Sequence, residues 1–210
     1  KVEFPTLGRV ITAVSDIRAG SQPDDRMYKR FVRRRQPIAI LILVDVSGST
    51  QGRVIYVEQE AIVLLAEGLR TLDMPHAFYG FSNDHPQNCL LQRVKSFEDR
   101  YDDAVHRRLG NLRAGGATRL GAFLRAGTEL LARQPQSRRL MLVLSDGKPE
   151  DRGEYRGTYG VRDSAMAVHE ARKVRVNTFC LSLDADEKSQ DYLEAIFGRG
   201  GFLRLPELEL

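Results

Sequence analysis

The hydrophobic pattern of the chain alternates between two kinds of segment. Continuous aliphatic residues occupy 37–45 and 138–146, and both segments end on an aspartate. Such segments are typical of strands covered on both faces of a parallel sheet. Further strands are predicted at 76–82, 89–97, 176–183 and 201–205. A short Asn/Asp/Pro loop joins the first two of these four strands, which predicts that they pair antiparallel.

Helical periodicity separates most of these strands. Apolar residues recur at helical spacing over 52–72, and shorter helices are predicted at 101–112, 119–133, 161–173 and 187–197. Strands that alternate with helices indicate an α/β fold of three layers. We expect a central, mainly parallel sheet with one antiparallel strand at its edge and helices on both faces.

The first part of the chain does not follow this alternation. We interpret residues 1–36 as an N-terminal extension and residues 37–210 as the α/β domain. Because the chain starts without methionine or a signal peptide, we expect it to be a piece of a longer protein. No apolar run approaches the roughly 18 residues of a spanning helix, so no membrane span is expected. The two cysteines lack CxxC spacing, which favours a reducing, cytoplasmic location.

Basic charge is concentrated in one short segment. The net charge is +4, yet residues 26–35 alone hold six Lys and Arg residues and no acid. The rest of the chain has 26 basic and 28 acidic residues, which gives it a net charge of −2. A nucleic-acid-binding domain would carry a basic face, so this distribution argues against one. The segment is interpreted as a solvated linker or helix, or as a docking element for an acidic partner.

Candidate chemistry lies where the predicted strands end. In open α/β sheets ligands bind at the carboxyl ends of the strands. Polar side chains occur at such ends or in neighbouring loops in three places: at Asp45, Ser47 and Ser49, at Thr118 in a glycine-rich loop, and at Asp146. All five are oxygen donors, which suits Mg²⁺, Mn²⁺ or Ca²⁺ rather than Zn²⁺. Such a site leaves a coordination position for water or for a carboxylate of another molecule.

Other interpretations of these residues stay open at this point. Ser and Asp are favoured helix N-caps, so the first cluster also fits an ordinary strand-to-helix turn. A nucleophilic serine is disfavoured because Gly-x-Ser-x-Gly is absent, and a phosphate-binding loop because no GK[ST] follows a glycine-rich stretch. A phosphotransfer or hydrolytic enzyme that uses Asp45 as nucleophile is the enzymatic alternative, although the sequence offers no second acid or general base beside it.

A rim of residues flanks these clusters. Arg119 and Lys148 are interpreted either as solvated charges or as groups that steer an acidic target. Tyr155 and Tyr159 lie in the segment 147–160, which is longer than the usual loop in such folds and therefore favours a role in binding a partner.

The five oxygen donors resemble the metal-ion-dependent adhesion site of von Willebrand factor A domains. That family has Asp-x-Ser-x-Ser, then a distant Thr, then an Asp before Gly, and the resemblance covers about residues 37–205. It implies a Rossmann-like fold in which the serines and the Thr bind the metal directly or through water, and the two Asp often through water. The family's strand order would also separate the strands of Cys89 and Cys180, so no disulfide is expected.

A narrower resemblance rests on several longer motifs. These are "DVSGSTQGRVI", "GGATRLGAFLR", "RRLMLVLSDGKPED" and "YRGTYGVRDSAMAVHEAR", which are similar to the C-terminal domain of the NorD/CbbO group. That resemblance implies a non-enzymatic adaptor for a MoxR-type AAA+ ATPase, with rubisco or nitric oxide reductase as the client. On this view the client supplies the Asp or Glu that completes the metal site. A chelatase-type subunit with the same domain is the less similar alternative.

Overall fold

The computed structural model describes residues 37–50, 53–85, 87–145, 149–151, 155–182 and 189–204. The extension predicted at 1–36, with its basic segment 26–35, lies outside these ranges. The elements in chain order are β1 (Ile38–Asp45), a 3₁₀ turn (Gly48–Thr50), α1 (Arg53–Thr71), β2 (His76–His85), β3 (Asn88–Lys95), α2 (Asp103–Gly110), α3 (Leu120–Ala132), β4 (Arg138–Ser145), α4 (Gly157–Lys173), β5 (Val176–Ser182), α5 (Ser189–Phe197) and β6 (Phe202–Arg204).

In the part of the chain that the structure describes, six strands form one sheet in the order β3-β2-β1-β4-β5-β6. Of the five strand pairs described, β2–β3 is antiparallel and the other four are parallel. The predicted α/β fold with a mainly parallel sheet and one antiparallel edge strand is therefore confirmed. Cys89 lies on the edge strand β3 and Cys180 on β5, and no disulfide joins these two residues, as expected.

The core lies on both faces of β1. Side chains of successive strand residues point to opposite faces, so Leu41 and Leu43 pack with apolar residues of α3, α4 and α5. Ile40, Ile42 and Val44 pack on the other face with residues of α1 and α2. This is why the segment is apolar at every position rather than at alternate ones. The two clusters define the three expected layers, and none of the described helices has the length and apolar character that would let it cross a membrane.

Helix α4 begins earlier than the pattern predicts. It starts at Gly157. The sequence predicts a start at 161, because Gly157 and Gly160 are typical of a loop. In the structure Gly160 is helical and buried, and a Cβ there would lie 2.8 Å from the carbonyl oxygen of Pro149. Glycine at this position therefore permits close packing of the helix against the preceding segment.

A buried histidine at the start of β2 predicts pH-dependent stability. The Nδ1 group of His76 donates to the carbonyl oxygen of Met74 at 2.7 Å, and Nε2 has no partner within the described part of the chain. Burial lowers the pKa of His76 below its ordinary value of 6.5, and the Lys95 ammonium group lowers it further. The unfolded chain thus binds more protons below pH 6.5, so the free energy of unfolding should fall as the pH drops below that value.

Urea unfolding at pH 7.5 and pH 5 measures this effect. His76→Asn retains a donor for Met74 and should show a smaller loss of stability on acidification than the natural sequence. The matched control is His169→Asn, since His169 is exposed on α4. Equal acid-induced losses in the natural protein and in His76→Asn would show that His76 does not control this dependence.

Candidate functional site

The candidate site forms where the carboxyl ends of β1 and β4 lie side by side. These strands are parallel neighbours, with Val44 paired to Leu144, so the next residues, Asp45 and Ser145, lie at the same edge of the sheet. The 3₁₀ turn after β1 carries the first serine motif. The loop before α3 brings Thr118 to the same edge. Parallel pairing therefore explains why residues far apart in sequence meet here.

Asp45 is at the centre of this arrangement. Its side chain is buried, with 0% exposure, and its two carboxylate oxygens accept several hydrogen bonds. The backbone N–H of Ser47 donates to Oδ1 at 2.9 Å, and the hydroxyl of Ser145 donates to Oδ2 at 2.6 Å. The Thr118 hydroxyl lies 3.3 Å and 3.4 Å from the two oxygens. Asp45 thus fixes the first motif, the end of β4 and Thr118 relative to one another.

The two serines of the first motif present their hydroxyls together. Ser47 Oγ and Ser49 Oγ are 3.0 Å apart, with Ser47 buried and Ser49 exposed. The Thr50 hydroxyl donates to the carbonyl oxygen of Ser47 at 2.8 Å and holds the turn closed. Neighbouring ligands of an octahedral Mg²⁺ at about 2.1 Å lie about 3.0 Å apart. The spacing of the serine hydroxyls therefore fits two adjacent positions around such a cation.

The glycine-rich loop is tied to the first motif and to β2. The N–H of Gly48 donates to the carbonyl oxygen of Gly116 at 3.0 Å, and the N–H of Gly115 donates to that of Val46 at 2.8 Å. Asn83 and Ala117 exchange two backbone hydrogen bonds, of 2.9 Å and 2.7 Å. The backbone of this loop is therefore held by hydrogen bonds on two sides, and Thr118 follows directly.

Four of the five predicted metal ligands are described, and they are brought together. Hydrogen bonds link Thr118 to Asp45, Asp45 to the Ser47 backbone, and Ser47 to Ser49. The fifth, Asp146, and the predicted rim residue Lys148 lie outside the described residues. Sequence reasoning missed Ser145, whose hydroxyl makes the shortest of these bonds. Its signal was its position at the end of β4, one residue before the predicted ligand.

The predicted rim residues divide into two kinds. Tyr159 is 60% exposed, in line with a surface role. Tyr155 is only 3% exposed, so its assignment to a partner-binding rim is corrected: the ring lies inside the domain. Its hydroxyl donates to Asp163 at 2.7 Å and accepts from the N–H of Gly121 at 3.1 Å. Burial, together with the bond to Asp163, raises the pKa of Tyr155 to about 12, so this hydroxyl stays protonated at neutral pH.

Arg119 is an internal partner as well as a rim charge. Its Nε donates to Asp151 at 2.5 Å, and its guanidinium carbon lies 5.0 Å from the centre of the Tyr155 ring. The side chain is 28% exposed, whereas that of Asp151 is almost completely buried. The bond to Asp151 raises the pKa of Arg119. Arg119 therefore joins the loop before α3 to the segment before α4.

The donor set suits a hard divalent cation. No group of three His, Cys, Asp or Glu residues that could hold a metal occurs among the described positions, so any metal here depends on hydroxyl ligands. Within residues 37–50 and 87–145, the Asp45 carboxylate accepts from the Thr118 hydroxyl and the Ser47 N–H, and the Ser47 hydroxyl is hydrogen-bonded to that of Ser49. Oxygen donors of this kind bind Mg²⁺ or Mn²⁺ better than a soft metal. The residues present thus fit the predicted ion.

The fold and this site define a class of protein. The model of the von Willebrand factor type A domain matches residues 39–205. The chain belongs to that family. Among solved structures, the PilB minor pilin of Streptococcus sanguinis shares the fold with a TM-score of 0.63 at 14% identity, over 89% of this chain and 60% of that one. The von Willebrand factor type A protein of Catenulispora acidiphila has a TM-score of 0.55 at 17% identity, over 82% and 39% of the two chains.

Sequence comparison gives nearer relatives. The chain is 34% identical to Protein NorD of Brucella abortus, over 96% of this chain and 32% of that protein. It is 39% identical to Protein NorD of Stutzerimonas stutzeri, over 83% of this chain and 29% of that protein. The chain thus spans about a third of the length of these curated relatives. The expected similarity to NorD is confirmed for this domain.

Proposed function

We propose that this domain is a non-enzymatic adaptor that uses a bound divalent cation to recognise an acidic residue of a client protein. The cation would be Mg²⁺, or Mn²⁺ or Ca²⁺, held by Asp45, Ser47, Ser49, Thr118 and Asp146. When bound it supplies a Lewis-acidic position that a client carboxylate can occupy. The single observation that carries this proposal is a connected set of hydrogen bonds at the buried Asp45 carboxylate. Asp45 accepts from the Thr118 hydroxyl and from the Ser47 N–H, and the Ser47 hydroxyl is hydrogen-bonded to that of Ser49.

The number of ligands favours an external one. Two carboxylates and three neutral hydroxyls supply five ligands if each binds through one oxygen, and Mg²⁺ requires about six. Ser49 is exposed, so a partner has access to that side of the site. The exposed Tyr159 and the partly exposed Arg119 form the rim that such a partner would meet, with Lys148 as a further predicted member.

The wider proposal concerns the assembly in which the domain works. Similarity to NorD supports a role as the recognition domain of a longer, cytoplasmic protein that partners a MoxR-type AAA+ ATPase. The client would be nitric oxide reductase or rubisco, and ATP hydrolysis would reside in the partner ATPase. The similarity to proteins named NorD supports nitric oxide reductase as the client. A chelatase-type role is the alternative within the same class.

The geometry does not favour Asp45 as an enzymatic nucleophile. Its carboxylate is buried, and its oxygens accept hydrogen bonds from Ser47 and Ser145 and contact Thr118. A nucleophile requires an approachable oxygen and a nearby general base. Asp45 instead has the surroundings of a residue that holds other ligands in place.

Ser49→Ala tests the adaptor proposal with little risk to the fold, because Ser49 is exposed. In the full-length protein we expect Mn²⁺ binding, followed by electron paramagnetic resonance, to weaken about tenfold, as for loss of one interaction of about 1.4 kcal/mol. Retention of purified nitric oxide reductase or rubisco in a pull-down with the ATPase should fall in parallel. The matched control is Ser137→Ala. Ser137 is exposed and lies just before the N-terminal end of β4, far from the site, so its loss should change neither Mn²⁺ binding nor client retention.

Metal removal completes the test. EDTA should abolish client retention, and Mg²⁺ or Mn²⁺ should restore it. Client retention that persists in EDTA would exclude the cation as the recognition device. Turnover of p-nitrophenyl phosphate by the purified protein, lost in Asp45→Asn, would instead support the enzymatic alternative.

A further inference from the structure

The residue that holds the Thr118 loop is Asn83, near the end of β2. Its backbone forms a two-way antiparallel bridge with Ala117, in which each N–H donates to the other's carbonyl oxygen. Its side-chain Oδ1 accepts the backbone N–H of Arg119 at 2.9 Å. One buried residue therefore contacts the residues on both sides of Thr118, at positions 117 and 119. Nothing in the Asp-x-Ser-x-Ser pattern indicates it.

This arrangement leaves the Thr118 side chain in a fixed direction. The N–H of Thr118 itself donates to the carbonyl oxygen of Glu150 at 2.9 Å, so the backbone is fixed at three consecutive residues. The Thr118 hydroxyl lies within 3.4 Å of both Asp45 oxygens. A hydroxyl so placed needs no large rearrangement to serve as a ligand.

Asparagine has properties that suit this position. Asn83 is 1% exposed, and its Nδ2 group has no hydrogen-bond partner among the residues that the structure describes. A buried unsatisfied donor costs stability, so its presence in a native fold calls for a compensating role. A neutral amide can accept from the Arg119 backbone without adding charge beside the cation site.

We propose that Asn83 is a positioning residue for the metal ligand Thr118. It acts by fixing the backbone on both sides of that threonine, and so sets the affinity of the site for its cation. This inference rests on the proposed metal-binding function, and it adds to that function a residue of β2 outside the five predicted ligands. Removal of such supporting partners in metal sites lowers metal affinity by about 10- to 100-fold.

The first arm of the test needs no metal. Hydrogen–deuterium exchange of the metal-free, full-length protein reports the amides of residues 115–121. Asn83→Ala should accelerate exchange at Arg119, which loses its acceptor, whereas Asn83→Asp retains an acceptor and should restore protection. If Asn83→Ala does not fold, Asn83→Ser takes its place, because a serine side chain is one atom shorter and lacks the carbonyl acceptor. Unchanged exchange at Arg119 would overturn the proposal.

The second arm measures whether the effect passes through Thr118. Mn²⁺ affinity is compared in the natural protein, Asn83→Ala, Thr118→Val and the double variant. We expect Asn83→Ala to weaken binding about tenfold alone and to have almost no further effect once Thr118 is replaced, since coupled residues are not additive. A full tenfold loss in the Thr118→Val background would show that Asn83 acts by another route.

A control and a failure outcome separate the two proposals. Thr178→Ala removes a buried polar side chain on β5, away from the loop, and should lower stability without changing Mn²⁺ affinity. If the natural protein binds Mn²⁺ and Asn83→Ala binds it equally well, the positioning role is wrong and the metal site stands. If the natural protein binds no Mn²⁺, the metal-binding function and the affinity role fail together, and the exchange arm still decides whether Asn83 fixes the loop.

Discussion

Replacement of Asp45 with asparagine is expected to weaken divalent-cation binding by at least about 100-fold, or about 2.7 kcal/mol. The carboxylate is the negative charge within the described part of the ligand set, and it orders the hydroxyls around it. Asparagine has nearly the same shape, and its Oδ1 can still accept from the Ser47 backbone. Its amide group can donate to Ser145 Oγ once that hydroxyl rotates. We therefore expect a large loss of affinity with a small change in stability.

Isothermal titration with Mn²⁺ and urea unfolding measure the two quantities separately. Asp73→Asn is the matched control, because Asp73 is exposed and lies in the turn before β2, away from the Asp45 end of the sheet. Its φ of 52° is left-handed, a conformation that asparagine also tolerates. The control loses the same charge and should keep full Mn²⁺ affinity. If the folded Asp45→Asn variant binds Mn²⁺ as tightly as the natural protein, Asp45 is not part of the metal site.

The sheet was predictable because the composition of a strand indicates whether one or both of its faces are buried. Strand β1 is apolar throughout, since both of its faces are covered. The antiparallel β2–β3 pair at the edge was predicted from a short connection, and the structure adds its register. Boundaries that depend on tertiary packing were harder. Gly160 indicates a loop in the sequence, yet it lies in helix α4, where its lack of a side chain permits the close approach of Pro149.

The ligand residues of the site were predictable because their side-chain chemistry can be recognised from the sequence. Asp45, Ser47, Ser49 and Thr118 are hydroxyl or carboxyl residues after a strand or in the glycine-rich loop, and the structure brings them together. Supporting residues were missed because their role comes from pairing across the sheet rather than from a local pattern. Ser145 acts only because β4 lies beside β1, and Asn83 only because β2 ends opposite the glycine-rich loop.

Tyr155 shows the opposite error. An aromatic residue in a long polar segment favours a surface role, but here the ring packs inside and its hydroxyl has two partners. Composition of the surrounding loop does not reveal that Gly121 lies close enough to donate to it. Burial of this kind depends on how helix α3 meets the segment before α4, which a single sequence does not display.

The largest effect on the fold of the site is expected from Gly116→Ala. Gly116 has a φ of 82°, in the left-handed region that costs other residues about 1–2 kcal/mol. A Cβ at this position would also lie 2.4 Å from the carbonyl oxygen of Asn83, a backbone atom that cannot rotate away. We expect the free energy of unfolding to fall by about 3 kcal/mol in total. Chemical denaturation of the purified variant measures it.

The same substitution should also impair metal binding, for a reason that the structure makes explicit. The carbonyl oxygen of Gly116 accepts the N–H of Gly48, which lies between the two serine ligands, and Thr118 follows two residues later. Displacement of Gly116 away from Asn83 therefore disturbs both halves of the site. Gly115→Ala is the adjacent control, because a Cβ there meets nothing within 4 Å. If Gly115→Ala and Gly116→Ala lower stability and Mn²⁺ affinity equally, the close approach of the loop to β2 is not what shapes the site.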